Sequence, residues 1–266
     1  MKQGMASVNR TILYYEVMGE GFPLVLISGG GLMDRRGWDD QFETFAKYHK
    51  VIRYDIRGIG KSARPADTFS HSQDLYELLK FLKVEKAHIL GLSFGGGIAV
   101  DFALEHPDMI DGLILASTGT SSDAKAEANL QSLSALSAIV KKEGLPHAIQ
   151  LILSAPSFIS SENSAAQEKI RQIYLDNSDV FETDFPLVRL WQPAEPAASE
   201  RLSEIRARSL IMMGEQDSPA YKQITEQLAS SIVGAKKVVI SGAAHAIHLD
   251  KPKELNQVAL DFLSKK

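Results

Sequence analysis

Gly91-Leu92-Ser93-Phe94-Gly95, continued by Gly96 and Gly97, is the stretch on which the reading of this chain turns. The strand-like run Lys86-Ala87-His88-Ile89-Leu90 precedes it, and the apolar segment Ile98-Ala99-Val100-Asp101-Phe102-Ala103-Leu104, which reads as a helix, follows. G-x-S-x-G between a buried strand and a helix is the pattern of a nucleophile elbow, a sharp turn that lifts the serine clear of its own backbone. Serine is a poor nucleophile at its free pKa and has to be offered to a base. Small residues two before and two after it let strand and helix approach without clash. The pentapeptide alone says little, because Gly and Ser are common; the strand and helix around it give it meaning.

Working outward, short apolar runs alternate with helical patterns. Thr11 to Val17 reads as a strand, and Leu24-Val25-Leu26-Ile27 as a central parallel strand covered on both faces, ending in Ser28-Gly29-Gly30-Gly31. Trp38 to Lys47 reads as a helix, Val51 to Asp55 as a strand, and Gln73 to Leu82 as a helix with Leu75, Leu78, Leu79 and Leu82 at helical spacing. The elbow helix ends near His106-Pro107, and Gly112 to Ala116 is the next strand. From Ser121 to about Ala197 only helical runs occur: Leu130, Leu133, Leu136 and Ile139 recur at helical spacing, Leu145 to Ser154 forms a second helix, and Ser164-Ala165-Ala166-Gln167 resembles a capping box opening a third. Strand Ser209 to Met213, helix Ala220 to Ser231, strand Lys237 to Ile240 and helix Pro252 to Leu263 resume the alternation. The expectation is an α/β core made of residues 1–120 and 198–266, with a mostly parallel sheet, helices on both faces and an all-helical insertion over 121–197.

Composition bounds the partners. With 44% hydrophobic and 23% charged residues the chain is an ordinary globular protein. A net charge of −4 with interspersed signs leaves no basic stripe for nucleic acid. No apolar run approaches the roughly 20 residues that span a bilayer, and the start, Met1 to Arg10, lacks the apolar core of a secretory signal. The absence of cysteine removes disulfides, a thiolate nucleophile and cysteine metal sites. The expectation is a cytoplasmic soluble protein, monomer or homodimer, acting on a small molecule without a metal or organic cofactor.

A serine nucleophile needs an imidazole base and a carboxylate to orient it, and open α/β sheets build sites at the carboxyl ends of their strands. Gly214-Glu215-Gln216-Asp217-Ser218-Pro219 follows one late strand and Ser241-Gly242-Ala243-Ala244-His245-Ala246 the other. Asp217 is preferred over Glu215 because it lies further past the strand end. His245 is preferred over His248 because Gly242 and two alanines leave a thin backbone around it. His71, His88, His106 and His147 read as structural or surface residues, and His49 as solvated. Donors for a developing oxyanion are expected from the backbone N–H of Phe94, at a helix N-terminus, and of Gly30, with Gly31 as the alternative. Ser28-Gly29-Gly30-Gly31 lacks the spacing of a phosphate loop, and Asp34 would repel phosphate.

Taken together these segments resemble the α/β-hydrolase superfamily over essentially the whole chain. Tyr54-Asp55-Ile56-Arg57-Gly58-Ile59-Gly60-Lys61-Ser62 is similar to the family's D-x-R-G-x-G-x-S segment, and Glu105-His106-Pro107-Asp108 to the usual close of the elbow helix. The resemblance implies the α/β-hydrolase fold, the roles of Ser93, Asp217 and His245, and a cap formed by residues 121–197. Where family members commonly carry His-Gly, this chain has Ser28-Gly29. Relatives that open epoxides or displace halide carry aspartate at the elbow, and Ser93 stands there instead.

The expected activity is hydrolysis of a small ester, lactone or thioester. Carbon–carbon cleavage of a diketone, enol-lactone hydrolysis and perhydrolysis remain alternatives on the same scaffold, as does a receptor that keeps the triad as a ligand pocket. Leu133, Leu136, Phe158 and Trp191, with Leu130, Ile139, Leu151 and Leu187, are the expected apolar lining; packing of cap on core would account for most of that set equally well. Arg189 could meet a substrate carboxylate, although a surface arginine is the simpler reading.

Overall fold

The structure is a computed structural model that describes residues 1–119, 137–181 and 190–265. Leu130, Leu133, Leu136, Leu187 and Arg189 therefore lie outside the described residues. Eight strands form one sheet: β1 (Lys2–Val8), β2 (Thr11–Met18), β3 (Pro23–Ile27), β4 (Lys50–Tyr54), β5 (Ala87–Leu92), β6 (Ile110–Ala116), β7 (Arg208–Gly214) and β8 (Lys236–Ile240). Their spatial order is β1-β2-β4-β3-β5-β6-β7-β8. The β1–β2 and β2–β4 pairs are antiparallel, and every pair from β4 to β8 is parallel.

The continuous apolar runs of the central strands divide between two cores because side chains alternate across a strand. Leu24 and Leu26 of β3, Leu90 and Leu92 of β5, and Ile114 and Ala116 of β6 face one side, against α1 (Asp39–Phe45) and the C-terminal helix Pro252–Leu263. Val25 and Ile27, Ala87 and Ile89, and Leu113 and Leu115 face the other, against α2 (His71–Phe81) and α3 (Phe94–Glu105). Helix α3 is buried on every side from Gly95 to Leu104, so it can present nothing to solvent except its ends.

Between β6 and β7 the described residues include α4 (Leu145–Leu153) and α5 (Ser164–Asp176), and β7 leads to α6 (Pro219–Ser231). After β8 come a single turn, α7 (Ile247–Asp250), and then α8 (Pro252–Leu263). Ile149, Leu153, Ile170 and Ile173 of α4 and α5 join the same core as α2 and α3. Among the described residues no helix is long and apolar enough to cross a membrane.

Three local expectations change. Strand β1 is absent from the pattern reading, because Lys2-Gln3-Gly4-Met5-Ala6-Ser7-Val8 mixes Gly and Ser into an edge strand with a single buried residue, Ala6. Its turn uses Asn9 and Arg10 at φ 43° and 57°, the two positive dihedrals a tight hairpin demands, without the usual glycine. The cap of α5 is Asn163, whose side chain accepts from the Ala166 N–H at 3.1 Å, so Ser164 is the first helical residue and not the cap. His49 is half-buried rather than solvated, and burial lowers its pKa.

His71 begins α2 with its ring edge-on to Phe69 and Phe94, at centroid distances of 4.9 and 5.4 Å. Burial, helped by the Arg57 charge, pushes its pKa down to about 3. An unfolded histidine titrates near 6.5, so between those values the unfolded chain binds the extra proton and stability falls as pH drops. The slope approaches about 1.4 kcal/mol per pH unit for such a group. Urea unfolding of wild type and His71→Phe at pH 7 and pH 4.5 checks this: the variant should lose less stability on acidification than wild type.

Candidate active site

Ser93 stands between β5 and α3 at φ 50° and ψ −115°. A non-glycine residue at positive φ is strained and persists only where its surroundings over-determine it. Here the Ser93 N–H donates to the Ala116 carbonyl of β6 at 2.9 Å, and the Ser93 carbonyl accepts from Gly96 and Gly97 at 3.0 and 3.2 Å. The two flanking glycines are fixed by space. A Cβ on Gly91 would overlap the Gly95 carbonyl, and one on Gly95 would overlap the carbonyls of Ile27 and Ser28.

The other two side chains arrive on loops at the same sheet edge. Asp217 follows β7, with its N–H donating to the Gly214 carbonyl at 3.2 Å. His245 follows β8, and Gln216 N–H to Ala243 carbonyl, 2.8 Å, ties the two loops together. His245 Nε2 lies 2.9 Å from Ser93 Oγ, while its Nδ1 lies 3.0 and 3.2 Å from the two Asp217 oxygens. Asp217 is 3% exposed, so its charge meets the imidazole with little competition from water. That arrangement assigns the Nδ1 proton to the aspartate side and leaves Nε2 free to accept from the serine hydroxyl.

Neither rival takes part in this chain of contacts. Glu215 is held by the Gly242 N–H at 2.9 Å and the Ser241 hydroxyl at 2.8 Å, and these bonds lower its pKa. His248 is buried with its ring 4.9 Å from that of Trp38, and desolvation, with Lys169 and His245 nearby, pushes it down to about 3.

The Phe94 N–H is at the first position of α3, where a helix leaves donors without intrahelical partners. The loop after β3 lies directly over it: a Cβ on Gly30 would stand 3.1 Å from Phe94 Cβ, and one on Gly29 3.7 Å from Ser93 Cβ. Polar contacts hold this loop. Ser28 Oγ donates to the Asp34 carbonyl at 3.1 Å, and Asn177 Nδ2 donates to the Leu32 carbonyl and the Asp34 carboxylate at 3.0 and 2.9 Å.

A cavity of about 430 Å³ opens over Ser93, with Gly29–Gly31, Tyr221 and His245 among its lining residues. Ile152, Phe158 and Tyr174, from the stretch between β6 and β7, also line it, and most of its lining is apolar. Phe158 is where the sequence reading expects it. Leu151 instead points outward at 47% exposure, and its neighbour Ile152 faces the cavity. Trp191 is not among the lining residues. Backbone hydrogen bonds between Phe69 and both Leu190 and Gln192 hold it behind Phe94, ring centroids 5.1 Å apart. Leu133 and Leu136 lie outside the described residues. The pattern reading misses Tyr174 and Tyr221; the latter places its hydroxyl 3.4 Å from Ser93 Oγ. Only its place four residues after Asp217, in the first turn of a helix, hints at this. Among the described residues no cluster of three His, Asp or Glu is arranged to hold a metal ion.

A family model described as the alpha/beta hydrolase fold matches residues 23–252. The chain is 29% identical over 269 residues to (E)-2-((N-methylformamido)methylene)succinate hydrolase of Acinetobacter baylyi, covering 97% of this chain and 95% of that one. It is 27% identical over 267 residues to 2-hydroxy-6-oxo-6-phenylhexa-2,4-dienoate hydrolase of Comamonas testosteroni, covering 95% and 91%. Among solved structures, a thermophilic esterase from Thermogutta terrifontis superposes with a TM-score of 0.83 at 25% identity, covering 99% of this chain and 98% of that one.

The contact at Gly95 has a measurable consequence. Gly95→Ala forces a methyl group onto the backbone carbonyls of Ile27, at the end of β3, and Ser28, just after it, so it should destabilise by about 1–3 kcal/mol or more. Gly119→Ala, where the new atom would meet only Tyr221 Cε1 at 3.7 Å, should stay near wild type. Denaturant unfolding of the two variants side by side measures the difference.

Proposed function

The chain belongs to the α/β-hydrolase fold family, and from that premise we propose that Ser93, His245 and Asp217 form a catalytic triad that hydrolyses a small carboxylic ester, lactone or thioester. The observation that carries the reading is the continuous relay from Ser93 Oγ through His245 Nε2 and Nδ1 to Asp217, at 2.9 and 3.0 Å. In it, His245 takes the Ser93 proton as Oγ attacks the substrate carbonyl, then returns that proton to the leaving group. Asp217 holds the tautomer and stabilises the imidazolium. The N–H groups of Phe94 and Gly30 receive the charge that develops on the carbonyl oxygen. Each such donor is typically worth about 3 kcal/mol of transition-state stabilisation. A water then enters and repeats the sequence on the acyl-enzyme.

Residues 121–197 act in this reading as a cap, supported by Ile152, Phe158 and Tyr174 closing the cavity from that segment. The lining that the described residues supply is mostly apolar, which suits the acyl chain of a small ester. The reading places the protein in the cytoplasm, as a monomer or homodimer, with no cofactor.

Turnover of p-nitrophenyl butyrate by wild type and Ser93→Ala tests it. The variant should lose at least about 10⁴-fold in kcat, as removal of a triad nucleophile does. Asp217→Asn should fall by roughly 10³- to 10⁴-fold. Turnover that survives Ser93→Ala would overturn the proposal. Stoichiometric binding without turnover would point to a receptor, and reaction confined to vinylogous diketones would point to carbon–carbon cleavage.

A further inference from the structure

One polar group in the cavity has no part in the relay just described. Tyr221 sits in the first turn of α6, whose start is fixed by Ser218 as cap and Pro219 as first residue. Its ring is held between Gly119, where a Cβ would come within 3.7 Å of it, and the His245 imidazole, with ring centroids 4.1 Å apart. The hydroxyl at its tip lies 3.4 Å from Ser93 Oγ. Because the Ser93 proton is directed to His245 Nε2, the Tyr221 hydroxyl can meet Ser93 Oγ only as a donor to its remaining lone pairs.

We infer that Tyr221 is a further catalytic residue, whose hydroxyl donates a hydrogen bond to the departing oxygen of the substrate while Ser93 is being acylated. The inference rests on the triad reading above and deepens it. Its argument is positional. The leaving group must lie next to His245 Nε2, which returns the proton to it, and Tyr221 packs against that same imidazole. The Phe94 N–H and the Gly30 loop, which pack on one another, are in that reading the groups that take the carbonyl oxygen. In the tetrahedral intermediate the attacking and departing oxygens share one carbon and touch one another. A hydroxyl within reach of Ser93 Oγ therefore reaches the departing oxygen with a small rotation of the phenol.

The step balances without the tyrosine losing its proton. The bond from Ser93 Oγ to the carbonyl carbon forms, and the bond from that carbon to the leaving oxygen breaks. The proton taken from Ser93 passes through His245 to the leaving oxygen. Tyr221 only lowers the charge on that oxygen before the proton arrives. It remains a donor throughout, because burial, with the Asp217 charge adding to it, outweighs the contact with Ser93 and raises the phenol above its usual pKa.

A leaving-group series tests this. The p-nitrophenyl, phenyl, trifluoroethyl and ethyl esters of butyric acid give one common acyl-enzyme, so differences in kcat/KM report acylation alone. A good leaving group needs little help. Tyr221→Phe keeps the ring against His245 and should cost p-nitrophenyl butyrate less than about 3-fold. It should cost ethyl butyrate about 10-fold or more, the range of a lost hydrogen bond to a developing charge. The slope of log kcat/KM against leaving-group pKa should steepen accordingly. An equal loss across the series, or no loss anywhere, would overturn the inference, since a merely structural ring affects every ester alike. Ser93→Ala is run beside it. Equal losses with an inactive Ser93→Ala remove only the role of Tyr221, whereas an active Ser93→Ala removes the triad reading and this one with it.

Discussion

The backbone of Ser93 is the constraint around which the molecule is arranged. Holding a serine at φ 50° costs on the order of 1–3 kcal/mol. The strain is sustained because β5 is buried along its whole length and α3 from Gly95 to Leu104, so neither element can turn to relieve it. Gly91 and Gly95 set how closely they approach, through contacts that admit no Cβ. Gly95 touches the carbonyls of Ile27 and Ser28, so the same contact also places the end of β3 beside the serine. One packing decision thus fixes both Ser93 and the loop after β3 beside it.

That loop is glycine-rich, and its order comes from elsewhere. Arg35, just beyond it, pairs with Glu16 at 2.7 Å and with Asp55 at 3.0 Å, and Arg53 pairs with Glu16 at 2.7 Å. Asp55 also accepts from the backbone N–H groups of Arg35 and Lys61, at 3.0 and 2.9 Å. Buried ion pairs of this kind add little net stability, but removal of one partner strands the other. Their effect here is geometric: they fasten the turn after β4 to the loop after β3. This gives the D-x-R-G-x-G-x-S segment a physical role. Its Asp55 carboxylate, Ser62 hydroxyl and Arg57 guanidinium all bond inward, the last to Asp74 at 2.5 Å.

Much of the sheet was legible in the sequence because strands buried on both faces leave continuous apolar runs, as β3, β5 and β6 do. Strand β1 was not, since an edge strand with one buried residue carries no such run. The residues brought to Ser93 were legible for another reason. Asp217 and His245 sit on short loops after strands, where residue type and position coincide. Helical linings behave differently. Leu151 and Ile152 are equally apolar, and a turn of about 100° decides which meets the cavity. Trp191 is held away from the described lining by its backbone pairing with Phe69, 122 positions earlier in the chain, and such a pairing has no trace in local sequence. Tyr221 escaped because a tyrosine at a helix start has no signature until its neighbour across the sheet edge is known.

The backbone at His245 is tied to the segment that carries Phe158 into the cavity lining, and this links two features usually described apart. The His245 N–H donates to the Ser157 carbonyl at 3.0 Å, and the Ala246 N–H to the Phe158 carbonyl at 2.9 Å. Asp250 strengthens the junction by accepting from Ala244 on one side, at 2.9 Å, and from Ser160 on the other, at 3.1 Å. Asn163 adds a bond to the Leu249 carbonyl at 3.0 Å. The backbone that carries Phe158 into the cavity is therefore the backbone that His245 leans on. A displacement of the segment wide enough to admit a bulky substrate would disturb the 2.9 Å contact between His245 and Ser93.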